Sequence, residues 1–220
     1  MIERILPPEV ASAEAFDDAG PAPLYPEEEA AICRAVAARR GEFATGRACA
    51  RAALARLGLP PAAIIPGERG APVWPAGVAG SITHCAGYRA AAVARVFDVA
   101  SLGLDAEPNE PLPAGVLDRI ALPTERAWLP GLAAAVPGVC WDRLLFCAKE
   151  SVYKAWFPLT GRWLGFGQAA VTVEPGAGTF TADLLVPGPP LGGRPLTRFT
   201  GRWLVGHGLL LAAIAVPAAP

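Results

Sequence analysis

Apolar and polar positions change their spacing several times along this chain, and each change marks an element. From Pro26 to about Arg40 the pattern is helical, opened by a proline and three acids that suit the positive end of a helix dipole. A second helical pattern starts near Phe43 with Thr45 as candidate cap, and stops at Leu57-Gly58 before Pro60-Pro61. The Gly- and Pro-rich stretch 67–80 reads as a loop with one short extended piece at Pro72-Val73-Trp74. Strand-like runs follow at Val78 to His84 and Arg89 to Phe97, joined by Ala86-Gly87, and at Val99 to Asp105, which is expected to complete a three-stranded group. The first 24 residues show no clear period and read as an irregular lead-in.

After a proline-dense stretch from Pro108 to Gly115 the order repeats loosely. Helical patterns span Arg119 to about Leu132, with a restart at Pro123, and Asp142 to Trp156; strands follow at Gln168 to Glu174, Thr179 to Leu185 and Arg202 to Val216. Gly208-Leu-Leu-Leu-Ala-Ala-Ile-Ala also echoes Gly87-Tyr-Arg-Ala-Ala-Ala-Val-Ala. Helix then meander, twice, predicts an α+β fold built as a pseudodimer of two similar α/β halves, residues 1–107 and 108–220.

Composition narrows the chemistry. With 53% hydrophobic and 18% charged residues in 220, the chain has ample core and is not disordered. Nineteen basic and twenty acidic residues give a net charge of −1, so no global field favours nucleic acid, and an anion must be held by a local cluster. Five cysteines without a C-x-x-C pair suggest reduced thiols rather than disulfides or zinc. Met1 to Val10 carries charge and two prolines where a signal peptide would be apolar, and the run Leu209 to Val216 is far short of the roughly 20 residues that span a membrane, so a soluble cytoplasmic protein is expected.

The basic residues are unevenly divided: only two are lysines, Lys149 and Lys154, and both fall in one six-residue stretch. On a helix, Leu145, Ala148, Val152, Ala155 and Trp156 form an apolar stripe, while Glu150 and Lys154 share another face near Arg143. An exposed ion pair is the ordinary reading of such a couple. Lys149, at the edge of the stripe, reads as structural. Asp105 and Glu107 alternate to one side of a strand end, where two like charges call for a cation; a hard dication such as Mg²⁺ meets that need. A polar turn after a strand would also explain them. Ser81 and Thr83 share one side of their strand, and Ile82 and His84 the other; a backbone-satisfied histidine accounts for His84 equally well. Arg39, Arg40, Arg47, Arg51 and Arg69 could solvate a surface or fork onto phosphate.

Five stretches together resemble the 4′-phosphopantetheinyl transferases of the surfactin-synthetase-activating type, more closely their enterobactin-type and mycobacterial branch. They are Arg39-Arg40-x-Glu-Phe-x-Thr-x-Arg47, Gly67-Glu-Arg-Gly-x-Pro-x-Trp-Pro75, Gly80-Ser-x-Thr-His-Cys-x-Gly-Tyr88, Gly103-x-Asp-x-Glu107 and Phe146-x-x-Lys-Glu-Ser-x-x-Lys154. The resemblance implies transfer of the phosphopantetheine arm of coenzyme A to a serine of apo acyl or peptidyl carrier proteins, releasing adenosine 3′,5′-bisphosphate, as in a holo-[acyl-carrier-protein] synthase. It implies that Asp105, Glu107 and Glu150 hold Mg²⁺, with Mn²⁺ as an alternative ion, and that Glu150 is also the base for the serine. Lys154 would bind the α-phosphate, and Ser81, His84, Arg39 and Arg47 would hold coenzyme A phosphates, His84 and Arg47 around the 3′-phosphate. Arg69 stands in the loop where many relatives carry a lysine. Family members resemble a pseudodimer with coenzyme A in the cleft between the halves, which makes a monomer the expected state.

Two other readings use the same residues. Acids plus a lysine also serve a Mg²⁺-dependent phosphodiesterase or nuclease, against which the absence of a basic stripe counts. A non-catalytic module binding coenzyme A or a carrier protein is hard to square with an intact acidic trio.

Overall fold

The structure is a computed structural model and describes residues 1–18, 20 and 22–219. Its elements in chain order are β1 (Ala11–Ala15), α1 (Pro26–Ala31), α2 (Ala37–Arg56), β2 (Val78–Cys85), β3 (Tyr88–Arg95), β4 (Val99–Pro108), α3 (Val116–Ile120), α4 (Pro123–Ala135), α5 (Trp141–Thr160), β5 (Ala169–Glu174), β6 (Thr179–Leu184), β7 (Pro190–Leu191), β8 (Arg194–Pro195), β9 (Arg198–Gly206) and β10 (Leu209–Pro217). The mixture of helices and antiparallel sheets is the expected α+β class.

Two sheets carry the fold, with strand orders β1-β3-β2 and β4-β10-β9-β6-β5. Side-chain alternation divides their faces among three apolar clusters. Ala91 and Val93 of β3 pack on Cys49, Ala50, Ala53 and Leu54 of α2. Ala90, Ala92 and Ala94 face Leu102 and Leu104 of β4 and Leu211 of β10. Leu210, Ala212 and Ile214 of β10 meet Leu144, Ala148 and Val152 of α5. The order of layers is therefore α2, smaller sheet, larger sheet, α5. The alanines of β3 keep two sheets within packing distance at their most crowded point.

Three expectations about the first half of the chain are corrected. The N-terminal segment is not irregular: β1 pairs with β3 (Ser12↔Ala92, Ala13↔Ala91) and supplies the third strand of the smaller sheet. Part of the lead-in, at positions 19 and 21, lies outside the described residues. β4 does not join that sheet but hydrogen-bonds to β10 (Asp105↔Ala212, Glu107↔Leu210). On its other edge β4 meets β2 through side chains, with Leu104 N–H donating to Ser81 Oγ at 3.0 Å and Thr83 Oγ1 donating to Asp105 Oδ1 at 3.4 Å. Hydroxyls replace a backbone ladder at this seam, so the two sheets adjoin without merging. Finally, the first helix stops at Ala31 and α2 begins at Ala37, which puts Arg39 in the first turn of α2 and buries Thr45 inside the helix instead of at its cap. Arg40 closes the intervening turn by donating to Ile32 O and Glu29.

The expected strand from Arg202 to Val216 is a hairpin, β9 and β10, turning at His207-Gly208, both with positive φ (53° and 72°) as a two-residue hairpin turn requires. The Gly208 echo of Gly87 thus falls at equivalent places, each the second residue of a two-residue hairpin turn. A second correspondence is stronger. Pro26-Glu27-Glu28 opens α1 and Pro123-Thr124-Glu125 opens α4, each with the glutamate fully buried and capping its own helix. Glu28 accepts from Tyr25 N, from Ile64 N and from Arg51 of α2. Glu125 accepts from Leu122 N and Val171 N and pairs with Lys149 of α5 at 2.9 Å. The same device fastens each long helix to its own surroundings, and Lys149 has the structural part expected of it.

Candidate functional site

Gly103 decides how the two parts of the site meet. A Cβ there would lie 1.9 Å from the Ser151 carbonyl oxygen and 2.8 Å from Ala155 N, so only glycine lets α5 press onto β4. Ser101 Oγ, two residues earlier on the same face, donates to Ala155 O at 2.7 Å. The next residues on that face, Asp105 and Glu107, then point at α5, as alternation requires.

Lys154 Nζ donates to Asp105 Oδ1 at 2.7 Å, and Arg143 Nη1 donates to Glu107 Oε2 at 2.9 Å. The ion pair of Lys154 is thus made with the strand, not with Glu150 on its own helix. Asp105 is buried, and its Oδ2 has no hydrogen-bond partner. Burial, followed by the charge of Asp105, raises the pKa of both Glu107 and Glu150. Burial alone would lower the pKa of Lys154, but Asp105 and then Glu150 outweigh it and the net shift is upward. Three acids thus crowd around one ammonium and one guanidinium. Among the described residues no group of three His, Cys, Asp or Glu side chains forms a ready-made metal site. Glu107 is turned toward Arg143, and Asp105 toward Lys154.

A second cluster lies at the end of the β2–β3 hairpin. Arg39 Nη1 is 2.8 Å from His84 Nε2 and 3.2 Å from Glu42 Oε2. Burial lowers the His84 pKa and Arg39 lowers it further, with Glu42 opposing. Arg89, paired in register with His84, is buried and donates to Cys85 O and Asp18 Oδ2, each at 2.6 Å.

The remaining candidates are spread out. Ser81 is buried in the seam, its Oγ accepting from Leu104 N, with its own proton free to donate. Arg47 is also buried: Nε donates to Ile64 O at 2.9 Å, the guanidinium carbon stacks 3.6 Å over Phe43, and burial, chiefly, lowers its pKa to about 10. Arg69 sits at a positive φ of 52° in an exposed loop, 5.7 Å from the Trp163 ring. A cleft of about 540 Å³ is lined by Arg69, Trp74, Ser81, Glu150, Tyr153 and Lys154 among others, whereas Arg39, Arg47, His84, Asp105 and Glu107 are not among its lining residues. A cavity of about 650 Å³ on the opposite face of the larger sheet, lined by Arg4, Leu6, Leu196, Arg202 and Ala215, holds none of the candidate residues. Gly103, Glu42 and Arg89 were not singled out from sequence. The first stands in the Gly-x-Asp-x-Glu motif and the second three residues after Arg39, whereas nothing local marks Arg89.

Residues 27–94 match the family model described as the 4′-phosphopantetheinyl transferase N-terminal domain, and residues 101–189 match that of the 4′-phosphopantetheinyl transferase superfamily. The chain belongs to the 4′-phosphopantetheinyl transferase superfamily. The transferase is 62% identical over 221 residues to the 4′-phosphopantetheinyl transferase Svp of Streptomyces mobaraensis, a match covering 99% of this chain and 90% of the relative. It is 54% identical to Npt of Nocardia iowensis (98% of this chain, 99% of the relative) and 52% identical to PptT of Mycobacterium tuberculosis (98% of each), both also named 4′-phosphopantetheinyl transferases. The enzyme therefore transfers the 4′-phosphopantetheine group, with coenzyme A as its substrate. These matches lend no support to the phosphodiesterase or the binding-module reading. No helix of the transferase is long and apolar enough to cross a membrane among the described residues.

Proposed function

We propose that this transferase delivers the phosphopantetheine arm to the serine hydroxyl of an apo acyl or peptidyl carrier protein, with Asp105, Glu107, Glu150 and Lys154 as its reacting face. The observation that carries this reading is the buried Asp105 carboxylate, held at one oxygen by Lys154 and without a partner at the other, beside two acids whose pKa values are raised by burial and then by its charge. That donor set fits a divalent ion: oxygen-only ligands, surplus negative charge and an orphaned buried oxygen all favour Mg²⁺, with Mn²⁺ as an alternative. Asp105, Glu107 and Glu150 would hold it, and when bound it would neutralise charge on the pyrophosphate.

Glu150 takes the serine proton as the hydroxyl oxygen bonds to the β-phosphorus of coenzyme A. Its raised pKa makes it a stronger base than an ordinary carboxylate. The bond from that phosphorus to the bridging oxygen breaks, and adenosine 3′,5′-bisphosphate leaves with the electron pair. Lys154, lining the same cleft as Glu150, donates to the α-phosphate and steadies the departing charge. Arg39 is the arginine beside His84, so these two are assigned to the 3′-phosphate. Arg47 is committed to Ile64 O through Nε and supports them by its field and its remaining donors. Ser81 and Arg69, which both line the cleft, are assigned to the remaining phosphates.

The enzyme is read as a cytoplasmic monomer. Incubation with coenzyme A, Mg²⁺ and an apo carrier protein should add about 340 Da to the carrier, the mass of the arm. Carrier left unmodified across several partners overturns the reading, and cleavage of nucleic acid under the same conditions replaces it with the nuclease.

A further inference from the structure

Glu42 is the common neighbour of Arg39, His84 and Arg89 at the end of the β2–β3 hairpin. Its Oε2 lies 3.2 Å from Arg39 Nη1 and 3.6 Å from His84 Nδ1, and its Oε1 lies 3.8 Å from Arg89 Nη2. A guanidinium only donates, so in the 2.8 Å contact between Arg39 Nη1 and His84 Nε2 the ring nitrogen is the acceptor. The ring proton of neutral His84 therefore rests on Nδ1, the nitrogen that faces Glu42. Arg89 is fixed from behind by Asp18 and by the carbonyls of Cys85 and Tyr88. Arg39 is not: it is 45% exposed, and α2 offers it no partner except Glu42, one turn on. Both contacts of Arg39 use Nη1, which leaves Nη2 and Nε for an incoming anion.

We propose that Glu42 is a positioning residue for the 3′-phosphate of coenzyme A, holding Arg39 beside the His84 ring so that its Nη2 and Nε meet the phosphate, without touching the phosphate itself. This rests on the assignment of Arg39 and His84 to that phosphate. A carboxylate placed next to a phosphate site repels its ligand, so a residue whose only effect were its charge would weaken binding. A positioning residue strengthens it by fixing donors that would otherwise have to be ordered at binding. The two roles predict opposite signs.

Steady-state kinetics of wild type and Glu42→Gln with coenzyme A and with 3′-dephospho-coenzyme A decide between them. Glu42→Gln is expected to raise the KM for coenzyme A about tenfold with kcat within about twofold, and to leave the KM for the dephospho substrate unchanged. Equal loss on both substrates shows a merely structural tie between α2 and the hairpin, and overturns the proposal. An unchanged or lowered KM for coenzyme A overturns it as well. A wild type that fails to distinguish the two substrates overturns the phosphate assignment itself, whereas a discriminating wild type matched by Glu42→Gln removes only the role of Glu42. If Glu42→Gln does not fold, Glu42→Asp keeps the charge but shortens the reach, and the same selective rise in KM, smaller in size, is expected from it.

Discussion

Lys154 Nζ lies 2.7 Å from Asp105 Oδ1, and this contact joins the Glu150–Lys154 face of α5 to the edge strand of the larger sheet. The partners are 49 residues apart, so a short-range helix pair such as Glu150–Lys154 gives way to one made across the fold. Removing the lysine leaves a buried carboxylate with no cation. A double-mutant cycle of Lys154→Met and Asp105→Asn should give a coupling energy of about 1–3 kcal/mol in urea unfolding. Lys154→Met alone should slow transfer at least about 100-fold. Additive effects on stability would show that the pair is incidental.

The other lysine tests the opposite role. Lys149 is paired with Glu125 inside the protein, and its ammonium also donates to Phe166 O and Ala169 O. Lys149→Met strands the Glu125 carboxylate and should cost about 3–5 kcal/mol of stability, while the folded fraction keeps its turnover. A kcat loss beyond the loss of folded protein would give Lys149 a direct part in the reaction.

At Gly103, substitution by alanine sets a methyl against the Ser151 carbonyl. Either α5 retreats from β4 or the variant is overpacked, at a cost of about 1–3 kcal/mol or more. Because Glu150 and Lys154 ride on α5, kcat should fall more than thermal stability alone explains. Full activity at unchanged Tm would mean that the close approach is unnecessary.

Glu14 links acid stability to the packing of β1. Burial pushes its pKa up, but the amino terminus, the Tyr88 hydroxyl at 2.6 Å and Ile2 N at 3.0 Å together bring it below its ordinary 4.5. A depressed folded-state value stabilises the protein above about pH 4.5, and that contribution is lost as pH falls through the lower folded-state pKa. Glu14→Gln should be less stable than wild type at pH 7, with the gap closing in acid. Parallel stability curves down to pH 3 would contradict this.

The thiols differ sharply in access. Cys33 is exposed, Cys147 is buried with its pKa raised well above the usual value, and burial, chiefly, raises Cys49 to about 11 and Cys85 to about 12. Labelling at pH 7.5 should modify Cys33 first, with all five cysteines reacting only after denaturation. Rapid modification of Cys147 in the native protein would show that α5 opens.

Much of this was legible in the chain. α5 announced itself by its apolar stripe, β2 and β3 by their strand-like runs and the turn between them, and the acidic trio only through the resemblance of its motifs to the family. β1 was not legible, because Ala11–Ala15 has no strand propensity and becomes a strand only by pairing with β3. The allegiance of β4 was hidden for a related reason: its partner strand β10 lies about a hundred residues further on, and the hydroxyls of Ser81 and Thr83 that keep β2 from pairing with it look like ordinary strand residues. Arg47 was expected at phosphate on the strength of its motif, but its place on α2 turns it inward beneath Phe43. Glu42 stood in one of the motif stretches but carried no role there. Its partners His84 and Arg89 come from a hairpin more than forty residues away, and only the fold brings them together.

The central claim, that Glu150 is the base of a phosphopantetheine transfer built on Asp105 and Lys154, is tested most directly by intact-mass analysis of an apo carrier protein incubated with coenzyme A, Mg²⁺ and either wild-type enzyme or Glu150→Gln. The account predicts a gain of about 340 Da with wild type. With the folded variant it predicts carrier left at its apo mass. Near-normal conversion by Glu150→Gln would contradict it.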